Sequence, residues 1–367
     1  MRPNALALAC LAVTAAPAFG QVTPSAGLRT LDSVQIRETD TLFLSRPAQI
    51  VLGAGGHVFL TDAREPRVIE IGPDGRNERV FGRKGSGPGE FETPTAMARS
   101  GDTLLAVYDH RTKRVTYINI PRWILARVSP VVTQRPPVIK FVDGHLFATH
   151  WDFGTNTSLA RIVEKDGTLD EKQGVIPDLG DQTQMLIGGA FWNAVFAPVA
   201  DQIFAMYEAS NSLFVWERGS RTAREITLPA KHRRGLPAGL FESLLRDPAR
   251  ATPAMIYDRS VPVALAPITP DIVAVVTRDV KVESDKWYTV HYVTLYDHRR
   301  NTACPDLEVP ASRLKVALLR DPFPIVALRG DTLALLEQSE TADAEPIQLL
   351  RRYRIEPDRC QWSAVSR

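Results

Sequence analysis

The chain has 367 residues, 44% of them hydrophobic and 23% charged, with a formal net charge of +2. That composition is globular, and so small a charge excludes a general pull toward nucleic acid or an anionic membrane. Twenty-seven prolines favour turn-rich β structure over long helices.

The N-terminus reads as a targeting segment. Arg2 precedes an apolar run from Ala5 to Ala16, and "AFGQ" (18–21) supplies the small residues of a cleavage site after Gly20. Residues 1–20 are therefore expected to be a signal peptide and 21–367 one domain. No stretch approaches the roughly 18 apolar residues of a transmembrane helix. Cys10 follows Ala7-Leu8-Ala9, a poor lipobox, and cleavage there would leave almost no apolar region. The expected product is an exported monomer, periplasmic or secreted, without a lipid anchor.

Past that segment a short apolar pattern recurs: "VFLTD" (58–62), "LAVYD" (105–109), "LFATH" (146–150), "IFAMYE" (203–208), "IVAVVT" (272–277) and "LALLEQ" (333–338). These runs are too short for helices and rich in β-branched and aromatic residues, so they read as buried strands. Each is followed by a second apolar strand ending in a tight polar turn, such as "VIEIGPDG" (68–75) or "RIVEKDG" (161–167). Most are preceded by a strand opened by proline, as in "RPAQIVL" (46–52), "TPTAMA" (93–98) and "PPVIKFV" (136–142). With a fourth strand after the turn, each unit is a four-stranded antiparallel blade. Six such units predict an all-β, six-bladed β-propeller, in which stacked blades bury one another's faces.

Between the first two units lies "FGRKGSGPGEFETP" (81–94). A phosphate-binding loop needs Gly-Lys-Ser/Thr opening a helix, whereas here Pro94 opens a strand. The glycines instead permit positive φ in a connection across the disc, and Phe91 can staple it between blades. This segment resembles the NHL-repeat family, whose mark is a Gly-rich fG-x-x-G-x-G-P-G-x-F-x-x-P link between blades. The match occurs once; the other five units carry only the propeller pattern. Exported bacterial six-bladed propellers are similar overall. The resemblance implies the same fold. It also implies two possible enzymatic precedents: a lyase with a metal site on the channel, and calcium-dependent lactonases among other six-bladed propellers. No ligand of those families aligns onto a position in this chain.

The strand "LDSVQI" (31–36) has no blade before it and is expected to complete blade six near "LLRRYRI" (349–355), removing exposed sheet edges. "RGLPAGLFESLLRDPAR" (234–250) contains the one good helical pattern, a short insertion between blades four and five. Cys304 and Cys360 stand at similar points after the hairpin turns of blades five and six. An exported pair can form a disulfide, although outer strands of adjacent blades can stand too far apart.

No catalytic constellation is evident. The histidines (His57, His110, His145, His150, His232, His291 and His298) form no HExxH pair, and there is no G-x-S-x-G. Asp62 and Asp109 end the second strands and read first as structural anchors. In a propeller, the loops between second and third strands share a face with the links between blades. That face is expected to carry Arg64, Lys84, Arg111, Lys113, Trp151, Asp152, Arg259, Lys281 and Trp287. Arg64, Lys84, Arg111, Trp151, Asp152, Arg259 and Trp287 are the binding candidates, weighed against a merely solvated rim. The leading expectation is a non-catalytic binding module for a protein, peptide or glycan of the cell envelope, with no cofactor. The alternative is a metal-dependent lyase or lactonase holding zinc or calcium at the channel mouth.

Overall fold

Each recurring apolar run is the second strand of a four-stranded antiparallel sheet. The computed structural model describes residues 27–39, 43–131, 137–178, 194–208, 210–235, 259–283, 286–310, 314–315, 325–340 and 346–365. The segment at 1–20 lies outside them, and so does the expected helical insertion from residue 236 on. Blade one runs from the strand Pro47–Leu52 to Asn77–Phe81, blade two from Pro94–Ser100 to Ile124–Pro130, and blade three from Ile139–Val142 to Leu169–Gln173. Blade four runs from Ala194–Val199 to Arg224–Ile226, and blade five from Val261–Pro267 to Thr302–Glu308. In blade six, Ile325–Arg329 is innermost, and the strand Leu28–Gln35 takes the outermost place.

That last pairing closes the ring. Leu28 faces Ile355 and Gln35 faces Leu349 in antiparallel register. Arg352 of blade six locks the closure: its guanidinium donates to Asp32 Oδ1 at 2.7 Å, to Gly56 O at 2.6 Å and to Pro73 O at 3.1 Å. The chain end adds a second clasp. Ser363–Ala364 pairs with the outer strand of blade five, and Cys360 is joined to Cys304 in a disulfide with Cα atoms 5.8 Å apart.

The core is distributed between blades rather than central. Hydrophobic clusters join every neighbouring pair: Phe59 and Val68 with Leu105, Tyr108 with Leu146, Phe147 with Phe204's neighbour Ala205, Val215 with Val275, Val276 with Leu335, and Leu336 with Leu60. A second strand covered on both faces has no polar alternation, which is why "VFLTD" is buried at all five positions. The outer strand Asn77–Phe81, with one face free, alternates half-buried and exposed positions.

The Gly-rich link is a packed joint. Phe91 is fully buried between blades one and two, its ring centroid 6.3 Å from that of Phe81. Gly82 sits at φ +83°, and a Cβ there would fall 2.5 Å from the Phe91 ring. Arg114 holds the loop from below, donating to Ser86 O, Gly87 O and Glu90 O at 2.6–2.9 Å. No helix among the described residues is long and apolar enough to cross a membrane.

The disulfide closes 56 residues, so its chief effect is on the unfolded chain. Replacing both cysteines with serine is expected to destabilise the protein by about 2–4 kcal/mol. A thermal shift unchanged between the two proteins, and unchanged on adding reductant to the wild type, would contradict it.

Candidate functional site

The loop-rich face is built on buried aspartates. Asp62 is fully buried and accepts four backbone N–H groups: from Ser45 (2.7 Å) and Arg46 (3.1 Å) in the incoming link, and from Arg64 (2.9 Å) and Glu65 (3.0 Å) in its own loop. Asp109 repeats the arrangement with Glu92 (2.6 Å), Thr93 (2.8 Å), Arg111 (3.0 Å) and Thr112 (2.9 Å). Each carboxylate thus ties a link to the next loop, giving the face a rigid base.

Blades five and six add height. Second and third strands of blade five, Ile272–Glu283 and Lys286–Asp297, are 12 residues each, and those of blade six, Thr332–Glu340 and Pro346–Ile355, are nine and ten. The second strand of blade one has five. At about 3.3 Å per residue the blade-five hairpin stands roughly 20 Å beyond its shorter counterparts. The face is therefore a shelf over blades one to three with a wall over five and six. At the base of that wall His232 stacks on Tyr292 with centroids 5.0 Å apart, and Lys281 Nζ lies 5.4 Å from the same ring. Asp306 accepts N–H groups from Lys231, His232 and Arg233 at 2.6–3.0 Å. Burial pushes the Asp306 carboxyl up, but these N–H groups and the Arg233 charge outweigh it and hold it below its ordinary value.

The candidates are spread over this face rather than gathered. Arg64 and Lys84 are exposed, on the blade-one loop and the Gly-rich link. Arg111 is exposed and pairs with Glu92 at 2.6 Å. Trp151 is half-buried against Tyr207, centroids 5.4 Å apart. Asp152 accepts from Lys172 Nζ at 2.7 Å and from the Gly154 and Thr155 N–H groups. The lysine first, then Thr155, holds its carboxyl well below the usual carboxylate range. Arg259 requires a correction: it is 3% exposed and its guanidinium is ion-paired with buried Glu208, so it braces the link into blade five rather than facing a ligand. The side chain of Trp287 lies outside the described residues. None of the seven lines the axial cavity.

That cavity, about 270 Å³, lies where the first strands of all six blades meet. Its walls are mostly Val, Ala, Ile and Leu, with Gln49, Arg99, Lys140 and Arg329, and none of its lining residues is a carboxylate or histidine. The described lining of this cavity therefore offers no histidine or carboxylate to a zinc ion. Lys140 escaped the sequence reading. Its signal was a lysine inside the first strand "PPVIKFV", at a place where blades one, two and six have Val51, Ala98 and Ala327.

Among the described residues one group brings three metal-capable atoms together, within 4.8 Å of one another: His57, Glu70 and Glu78. It lies on the outer half of blade one, away from the axis. His57 Nδ1 is 3.3 Å from Glu70 Oε1 and 3.2 Å from Glu78 Oε2, and Glu70 also holds Arg79.

No protein-family model and no curated protein sequence matches this chain. The fold is similar to that of a protein described as exported from Bacteroides fragilis, with 12% identity and a TM-score of 0.52, over 90% of this chain and 96% of that one. It is also similar to a member of the DUF4221 family from Bacteroides vulgatus, with 8% identity and a TM-score of 0.57, over 90% and 99% of the two chains. At these identities the likeness concerns the fold alone.

Proposed function

We propose that this six-bladed propeller is an exported, non-catalytic binding module, taking a protein, peptide or glycan of the cell envelope on its loop-rich face. The observation that carries the reading is the asymmetry of that face: a shelf anchored by Asp62 and Asp109 beside the raised hairpins of blades five and six. Rigid loops on a braced scaffold are where binding residues concentrate. Export rests on the segment at residues 1–20 and fits the Cys304–Cys360 disulfide, a bond favoured outside the cytosol. One fold neighbour is itself described as exported. The NHL-like link at 81–94 fits the same reading, as a blade joint rather than a site.

The test compares binding of envelope proteins and peptidoglycan fragments to the wild type, to Trp287→Ala and Lys84→Ala, and to Asp143→Ala. Asp143 pairs with Arg218 on the opposite face. The expected result is about tenfold weaker binding for each loop-face variant and none lost for Asp143→Ala. Equal binding by all four proteins, or loss only in Asp143→Ala, would overturn the assignment.

A further inference from the structure

Among the described residues, the axial cavity contains a cation without a counter-charge. Lys140 reaches from the first strand of blade three across the axis, and its Nζ donates to Leu265 O on blade five. An ammonium group has three N–H donors. Leu265 O takes one, and Lys140 takes part in no ion pair with a described carboxylate. Arg99 and Arg329 stand at the end of the cavity near Gly53, both turned toward the single carboxylate of Asp102, which Arg329 approaches to 3.6 Å. Among the described residues, positive charge therefore exceeds negative charge along the passage.

We infer that the axial channel binds a small organic monoanion, its carboxylate on Lys140 and its apolar body against the Val and Ala walls, drawn in past Arg99 and Arg329. Three features select this class. A half-buried cation with no described counter-charge gains when an anion arrives, so the lysine favours negative charge there. Beyond Gln49, Arg99, Lys140 and Arg329 the lining side chains are apolar, and so favour a ligand with one charge and an apolar remainder. A space of about 270 Å³ admits a short-chain or single-ring acid but not a polymer. Burial agrees with this, pushing the Lys140 amine down to about 8. An anion bound beside it raises that value again. The site is separate from the loop-rich face, and neither depends on the other.

The experiment uses the full mature chain and three probes: hexanoate, benzoate and the uncharged hexanamide. Calorimetry is expected to show hexanoate or benzoate binding at least about tenfold more tightly than hexanamide. Lys140→Met should abolish that preference while leaving weak apolar binding of hexanamide. In the wild type, the NMR signal of the isotopically methylated Lys140 amine should titrate higher with the bound acid than without it. This second measurement stands even if the variant fails to fold. No binding of either acid, equal binding of acid and amide, or a Lys140 titration unmoved by bound acid would overturn the inference, as would sulfate displacing the acids at equal concentration.

Discussion

Replacing Asp109 with alanine is expected to destabilise the protein by about 4 kcal/mol, read as a lower urea midpoint at an unchanged m-value. The carboxylate accepts four backbone N–H groups from two segments, and none of those donors has another partner in the loop ladder. Hydrogen bonds to a charged acceptor are worth about 1.5–3 kcal/mol each, and water reaching the loops recovers part of the loss. Asp109→Asn distinguishes this account from simple packing. It keeps the shape but turns an NH₂ group toward the N–H groups of Glu92 and Thr93, so it should destabilise nearly as much as alanine. If asparagine is tolerated within about 1 kcal/mol, the carboxylate is not the anchor. Asp62→Ala should behave alike, because its four donors occupy the same relative places.

Acid should cost stability through His291. The residue is fully buried in blade five, and burial, aided by the Arg278 charge, pushes its imidazole down to about 3. The unfolded chain takes up a proton near pH 6.5 while the folded chain resists until about pH 3. Stability from this group is thus fully present above pH 6.5 and is lost as pH falls toward 3, by up to about 5 kcal/mol. His291→Gln removes this titration and should lessen the loss of urea midpoint across that window, within which Glu337, its carboxyl pushed up to about 7 by burial, titrates with the opposite sign. Parallel pH profiles for the two proteins would contradict the assignment. Asp152 and Asp306, held below their ordinary values, lose their contributions only at lower pH.

The blades were legible because each second strand is apolar on both faces, a pattern that only stacking of neighbours explains. Ring closure by residues 31–36 was legible for a related reason, since a half-apolar strand with no blade of its own must complete another. The Gly-rich link announced its role through Phe91. What stayed hidden depends on partners distant in sequence. Arg259 looks like a surface cation until Glu208, 51 residues away, is placed against it. Lys140 looks like the polar position of an ordinary strand until the axis is seen to surround it. The short C-terminal strand at Ser363–Ala364 returns to blade five, a step that no local pattern encodes.

The measurement that bears most directly on the loop-rich face as a binding surface is site-specific photo-cross-linking in the intact cell envelope. A photoreactive residue would be placed in turn at Arg64, at Lys84 and, on the opposite face, at Asp143. A discrete cross-linked species is expected from Arg64 and Lys84 and none from Asp143. Cross-links from Asp143 alone, or none from any of the three positions, would contradict it.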